Sequence, residues 1–218
     1  MSGVGGILAL LALLAGTAAG PGAGVREPPR PTGAAADVAS DTVIRSERWP
    51  PAAVVVDPGF RHLGSRTISL GRATAEIHVL ADVAEGRVRR FYWIQFEGRP
   101  SGRYDYSALP YCDTIGDYVF DVDVRHGAYT EAEVRDEPDT HAVGEILAAA
   151  GYDFPAPMMR ARMATVDGSG RNELLVIYME ALSAGGLDES ALAGKDAWAA
   201  ASMQLRTRAV AGLELRPD

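Results

Sequence analysis

Eight aromatic side chains crowd the stretch from Phe91 to Tyr118, namely Phe91, Tyr92, Trp93, Phe96, Tyr104, Tyr106, Tyr111 and Tyr118. Arg90 stands at their head, on the same strand face as Val88, Tyr92, Ile94 and Phe96. An arginine on an otherwise apolar face needs a carboxylate, a carbonyl or an anionic ligand. A structural ion pair with Asp105 or Asp113 is one solution. The other is an aromatic-lined pocket in which Arg90 fixes a small ligand. Tyrosine suits such a pocket, because it offers a flat apolar ring and one hydroxyl. The candidate ligand-binding residues are therefore Arg90, Tyr92, Tyr104, Tyr106 and Tyr111, with Cys112 and Asp113 beside them. The interval from Gly98 to Gly116 reads as a long irregular loop, and such loops carry function disproportionately.

Other chemistry finds less support. The four histidines, His62, His78, His126 and His141, lack the HxH, HExxH or HxxxH spacing of a local metal site. No metal or other cofactor is expected. Cys112 is the only cysteine, so no intramolecular disulfide forms. With a distant histidine it can be a thiol nucleophile. As a lone cysteine in an oxidising compartment it is expected to be a small buried hydrophobe. Asp121 and Asp123 project from one strand face, as charges on solvated faces routinely do. The run from Asp167 to Glu173 alternates acidic and small residues like a calcium loop. It offers too few oxygen ligands and reads as a glycine-rich hairpin turn. Gly168-Ser169-Gly170 is too short for a nucleophile elbow and lies between two strands. Only Lys195 among the 21 basic residues is a lysine, which leaves little room for Schiff-base chemistry.

The elements that position these residues follow from periodicity. Val54–Val56 is a short edge strand before the Asp57-Pro58-Gly59 turn. Residues 74–83 alternate strictly, a turn follows at Glu85-Gly86, and residues 87–97 form the second arm of a hairpin. A further strand covers 117–126. A helix over 139–150 follows Pro138 and stops at Gly151. Strands over 158–166 and 173–182 flank the glycine-rich turn, and ELLVIYMEAL, apolar on both faces, belongs centrally in a sheet. The last helix covers 195–211, with Trp198, Ala201, Leu205 and Ala209 on one stripe. The order β-β-β-α-β-β-α predicts an α+β domain: an antiparallel sheet of about five strands with two helices packed on one face.

The chain has 218 residues and a net charge of −8, which argues against nucleic-acid binding. At 47% hydrophobic and 23% charged it has the composition of a globular protein. Residues 7–15, ILALLALLA, form an apolar run shorter than the ~20 residues of a membrane span. Small residues follow, so residues 1–19 read as a signal peptide, with an uncleaved anchor as the rival reading. Residues 20–40, rich in proline, glycine and alanine, read as a linker, and 41–218 as the single α+β domain. The expectation is an exported bacterial protein, secreted or periplasmic, without stable membrane insertion after processing. It is expected to bind a small molecule or an envelope protein without catalysis. The alternative is an extracytoplasmic hydrolase with dispersed Asp and His residues, using Cys112.

Overall fold

The computed structural model describes residues 42–106 and 108–217. The expected signal peptide and linker lie outside the described residues. Ten strands and three α-helices follow in the order β1 (Val43–Ile44), β2 (Ala52–Val56), β3 (Arg61–Leu70), β4 (Ala73–Ala84), β5 (Arg87–Gly98), β6 (Tyr111–Ile115), β7 (Tyr118–Gly127), α1 (Glu131–Asp136), α2 (Pro138–Ala149), β8 (Met158–Val166), β9 (Asn172–Ala181), α3 (Lys195–Ala211) and β10 (Leu213–Pro217). Two 3-10 turns, Leu182–Gly185 and Glu189–Leu192, lie between β9 and α3.

Seven strands form one antiparallel sheet in the order β3-β4-β5-β9-β8-β7-β6, and three form a smaller sheet, β1-β2-β10. This corrects the expected five-stranded sheet with two helices on one face. Four strands carry most of the difference. β3 reads RHLGSRTISL and lies largely open to solvent, as an edge strand can, so its polar sequence hides it. β6 sits inside the segment expected to be loop. β1 and β10 are short and are held by pairing with β2, and β10 reaches β2 from the far end of the chain. Nothing local announces such long-range pairs.

The two helices of the expectation cover opposite faces. Odd-numbered residues of β5 and β9, such as Phe91, Trp93, Ile177 and Met179, pack with Ala142, Val143, Ile146 and Leu147 of α2. Even-numbered residues, such as Tyr92, Ile94, Phe96, Val176 and Tyr178, pack with Ala201, Leu205 and Ala209 of α3 and with Val54 and Val56 of the small sheet. A sheet buried on both faces needs apolar residues at nearly every central position. VRRFYWIQFE and ELLVIYMEA supply them.

The topology also creates the site. Two antiparallel meanders, β3-β4-β5 and β6-β7-β8-β9, meet where β9 pairs with β5. The chain leaves β5 in mid-sheet and must reach the far edge to begin β6, four strand spacings or ~19 Å away. Residues 99–106 and 108–110 make that crossing. They are pinned to the β8–β9 turn by Arg99 N to Arg171 O at 3.0 Å and Tyr104 N to Gly170 O at 2.8 Å. Gly170 has φ +68, and a Cβ there would meet the Arg103 side chain at 2.9 Å, so the close approach of loop and turn calls for glycine.

Candidate functional site

Beneath the crossing loop lies a cavity of about 370 Å³ on the α2 side of the large sheet. Its floor is built from alternate residues of four adjacent strands, because only every second residue faces that side. Trp93 and Glu97 come from β5, Glu173, Leu175 and Ile177 from β9, Arg160 and Arg162 from β8, and Asp123 and Arg125 from β7. The loop adds Tyr104, Tyr106 and Leu109, and the segment entering α2 adds Glu137, Asp139 and Thr140. Tyr129 completes the wall.

A chain of hydrogen bonds runs along β5. Trp93 Nε1 donates to Gln95 Oε1 at 2.7 Å, and Gln95 Nε2 donates to Glu97 Oε1. The other Glu97 oxygen accepts from the Tyr104 hydroxyl at 2.7 Å. Glu97 is paired across the ladder with Glu173, which accepts from the Tyr106 hydroxyl at 2.6 Å. Arg162 NH2 in turn donates to the Tyr106 oxygen at 3.2 Å. Tyr106 thus joins a carboxyl group to a guanidinium, and Tyr104 and Tyr106 stack with planes only 12° apart.

Glu173 is 1% exposed. Burial pushes its carboxyl up to about 7; the Tyr106 hydrogen bond opposes the rise and the neighbouring Glu97 charge adds to it. Burial and the Glu173 charge also push the Tyr106 phenol well above its ordinary range, so it stays a donor. The site therefore holds a carboxyl group that changes protonation near neutral pH, hydrogen-bonded to a phenol that does not.

The structure brings two of the five expected site residues together and separates the rest. Tyr104 and Tyr106 line the cavity. Arg90 and Tyr92 lie on the opposite face of the sheet. Arg90 donates to Asp82 Oδ2 through Nε at 2.8 Å and NH2 at 2.6 Å, and its guanidinium lies over Phe60. Its carboxylate partner is thus Asp82 on the adjacent strand. Arg89 shares that carboxylate, an arrangement made by the β-bulge between Asp82 and Val83. Tyr92 is fully buried and donates to Ala209 O at 2.9 Å, tying β5 to α3. Tyr111 stands at the far edge beneath Arg206, whose guanidinium lies 4.4 Å from the ring centroid. Asp113 holds Arg206 with bonds of 2.7 and 2.6 Å.

Cys112 is exposed rather than buried, since it sits on an edge strand with its side chain away from Tyr111. Its sulfur approaches Asp121 Oδ1 at 3.5 Å, and this contact with a carboxylate raises the thiol pKa, opposite to what a nucleophile needs. No histidine lines the cavity among the described residues. In the β8–β9 turn, Asp167 accepts from Ser169 Oγ, Arg171 N and Asn172 Nδ2. Burial alone would raise its pKa, but these donors outweigh that and hold it at about 2. The carboxylate is used to close the turn. Among the described residues no group of three His, Cys, Asp or Glu side chains is placed to hold a metal ion.

Sequence reasoning passed over Glu97, Glu173, Arg160, Arg162, Trp93 and Tyr129 as site residues. A signal existed. Glu173 stands immediately before the apolar run Leu174 to Met179, and Arg160 and Arg162 lie between Met159 and Met163 on the neighbouring strand. Charges in the middle of a doubly covered sheet mark a place where the covering is incomplete. Comparison with known protein families, with curated proteins and with solved structures finds no match to this chain.

Proposed function

We propose that this chain is an exported protein that binds a small polar ligand, without catalysis, in the cavity beneath the 99–110 loop. The observation that carries the reading is the construction of that cavity. Aromatic walls and a few converging polar groups are held in place by buried hydrogen bonds, and such preformed concavities are what small-ligand sites look like. Tyr104 and Tyr106 line the binding face, with their hydroxyls anchored on Glu97 and Glu173. Export is supported by the apolar run at residues 7–15 and the small residues after it.

The test is native mass spectrometry of the protein purified from its own envelope or medium fraction. A small molecule of fixed mass should accompany it, and Leu109→Trp, which fills the cavity from the half-buried loop side, should abolish that companion while the fold is retained. An unchanged companion in Leu109→Trp would remove the cavity from the reading. N-terminal sequencing of the same sample should begin near residue 20; recovery of Met1 in all of the protein would end the processing claim.

A second reading, an acid–base enzyme, is favoured by one observation. Glu173 titrates near 7 and borders the cavity, as a general acid or base does. It would use the Glu97–Glu173 pair rather than a histidine set or Cys112. Turnover of the companion molecule by wild type, lost in Glu173→Gln, would favour this reading over binding alone.

A further inference from the structure

Arg160 and Arg162 are both half-buried, and they face the cavity two residues apart on β8. Neither forms an ion pair with a carboxylate among the described residues. Arg162 stacks over Tyr106, 4.7 Å from its centroid, and gives one hydrogen bond to its hydroxyl. Arg160 stacks over Tyr129 at 4.8 Å and interacts with its hydroxyl. Stacking occupies the face of a guanidinium and leaves its N–H edges to point along the plane. Each guanidinium carries five donors, more than a single hydrogen bond to a tyrosine hydroxyl uses.

The cavity's own carboxyl groups each have another hydrogen-bond donor, although the Arg162 charge also acts on Glu173. Glu97 and Glu173 accept from Tyr104 and Tyr106. Asp123, directly opposite Arg162 on the ladder, is held by Arg125 at 2.7 Å. Glu137 and Asp139 accept from the hydroxyl and backbone N–H of Thr140. Arg160 itself stands opposite Arg125, whose charge is already met by Asp123. Trp93, Leu175 and Ile177 form an apolar floor next to this pair of arginines.

We infer that the ligand is a monocarboxylate on a compact apolar body, its carboxylate gripped by Arg160 and Arg162 and its body lying on Trp93, Leu175 and Ile177. The inference rests on the binding role of this cavity. A guanidinium fork matches a carboxylate in two parallel hydrogen bonds. The carboxyl groups around the cavity oppose a doubly charged phosphate more than a singly charged acid, and the grip on that acid takes both arginines.

The experiment is calorimetry with four probes: phenylacetate, its neutral amide phenylacetamide, the cation phenethylamine, and inorganic phosphate. Wild type should bind phenylacetate, with the amide weaker by about tenfold or more, as expected when a charge-assisted pair is lost. Arg160→Met keeps the apolar stem over Tyr129 and should lose the phenylacetate signal. Arg160→Lys, with a charge but no fork, should restore only part of it. Arg87→Met, an exposed change on another strand, should bind like wild type. Equal binding of acid and amide, preference for phenethylamine or phosphate, unchanged affinity in Arg160→Met, or no binding of any probe would each overturn the carboxylate assignment. These outcomes leave the cavity reading standing as long as Leu109→Trp removes the co-purified molecule. If Leu109→Trp leaves phenylacetate binding intact, the reading of the cavity fails instead.

Discussion

Glu173 holds a position that few carboxyl groups occupy, with its side chain buried, Glu97 directly across the ladder, and a phenol as its donor. Its pKa is raised from 4.5 to about 7 in the folded chain. Between these values the folded state holds a proton that the unfolded state has released. Stability from this group is therefore fully present below the unfolded pKa and is lost as pH rises through about 7. Glu173→Gln keeps the shape and stays neutral. Its melting temperature should fall less than that of wild type between about pH 5 and pH 8, the window that spans the unfolded and folded values. Parallel curves for the two proteins would show that Glu173 does not titrate there. Asp167 works in the opposite sense. Its pKa is lowered to about 2, so its contribution is present at neutral pH and lost only on strong acidification.

At the scale of elements, β9 is the member on which the others depend. It joins the two meanders, pairing with β5 from Arg90↔Glu180 to Gly98↔Asn172 and with β8 from Met158↔Ala181 to Val166↔Glu173. Ile177 sits midway, 5% exposed, between Trp93 and Arg162 on the ladder. Ile177→Asp places a charge against the apolar floor, with Arg162 across the ladder as its nearest counter-charge, and removes a packed side chain. The expected loss is several kcal/mol (about 3–5 by analogy with other buried-charge changes), read as a reduced denaturant midpoint. Proximity of Arg162 is the one feature that can soften it. A midpoint equal to wild type would mean that β9 does not hold the sheet together. The bounds of β8 and β9 were close to legible from alternation and the glycine-rich turn. β3 and β6 were not, because an edge strand exposes one side and part of its face, and the apolar signal that marks a strand is diluted accordingly.

At the scale of the molecule, the large sheet is the middle of three layers, with α2 on one side and α3 with the small sheet on the other. Among the described residues no helix is long and apolar enough to cross a membrane. The α3 layer is held by few large side chains, of which Leu205 is the central one at 0% exposure, flanked by alanines 201 and 209. Leu205→Ala should cost about 2–5 kcal/mol, because alanine neighbours cannot collapse into the space left behind. A loss below 1 kcal/mol by denaturant titration (about the scale of an exposed substitution) would show that α3 is not an integral layer.

Local periodicity was enough to locate β4, β5, β7, β8, β9 and both long helices, since each carries its own apolar pattern and its own turn or cap. Local composition was enough to single out the loop after β5 and its tyrosines. What it could not supply was sidedness between elements. Arg90, Tyr92, Tyr104, Tyr106 and Tyr111 are close in sequence, yet a strand sends neighbours to opposite faces and a crossing loop carries the chain ~19 Å to another edge. The same physics puts Glu97 and Glu173 on one rung and Arg162 and Arg160 on rungs farther along the same sheet face, although the four are far apart in the chain. Only the order of strands decides which residues share a rung, and that order is set by long-range pairing that no short window of sequence contains.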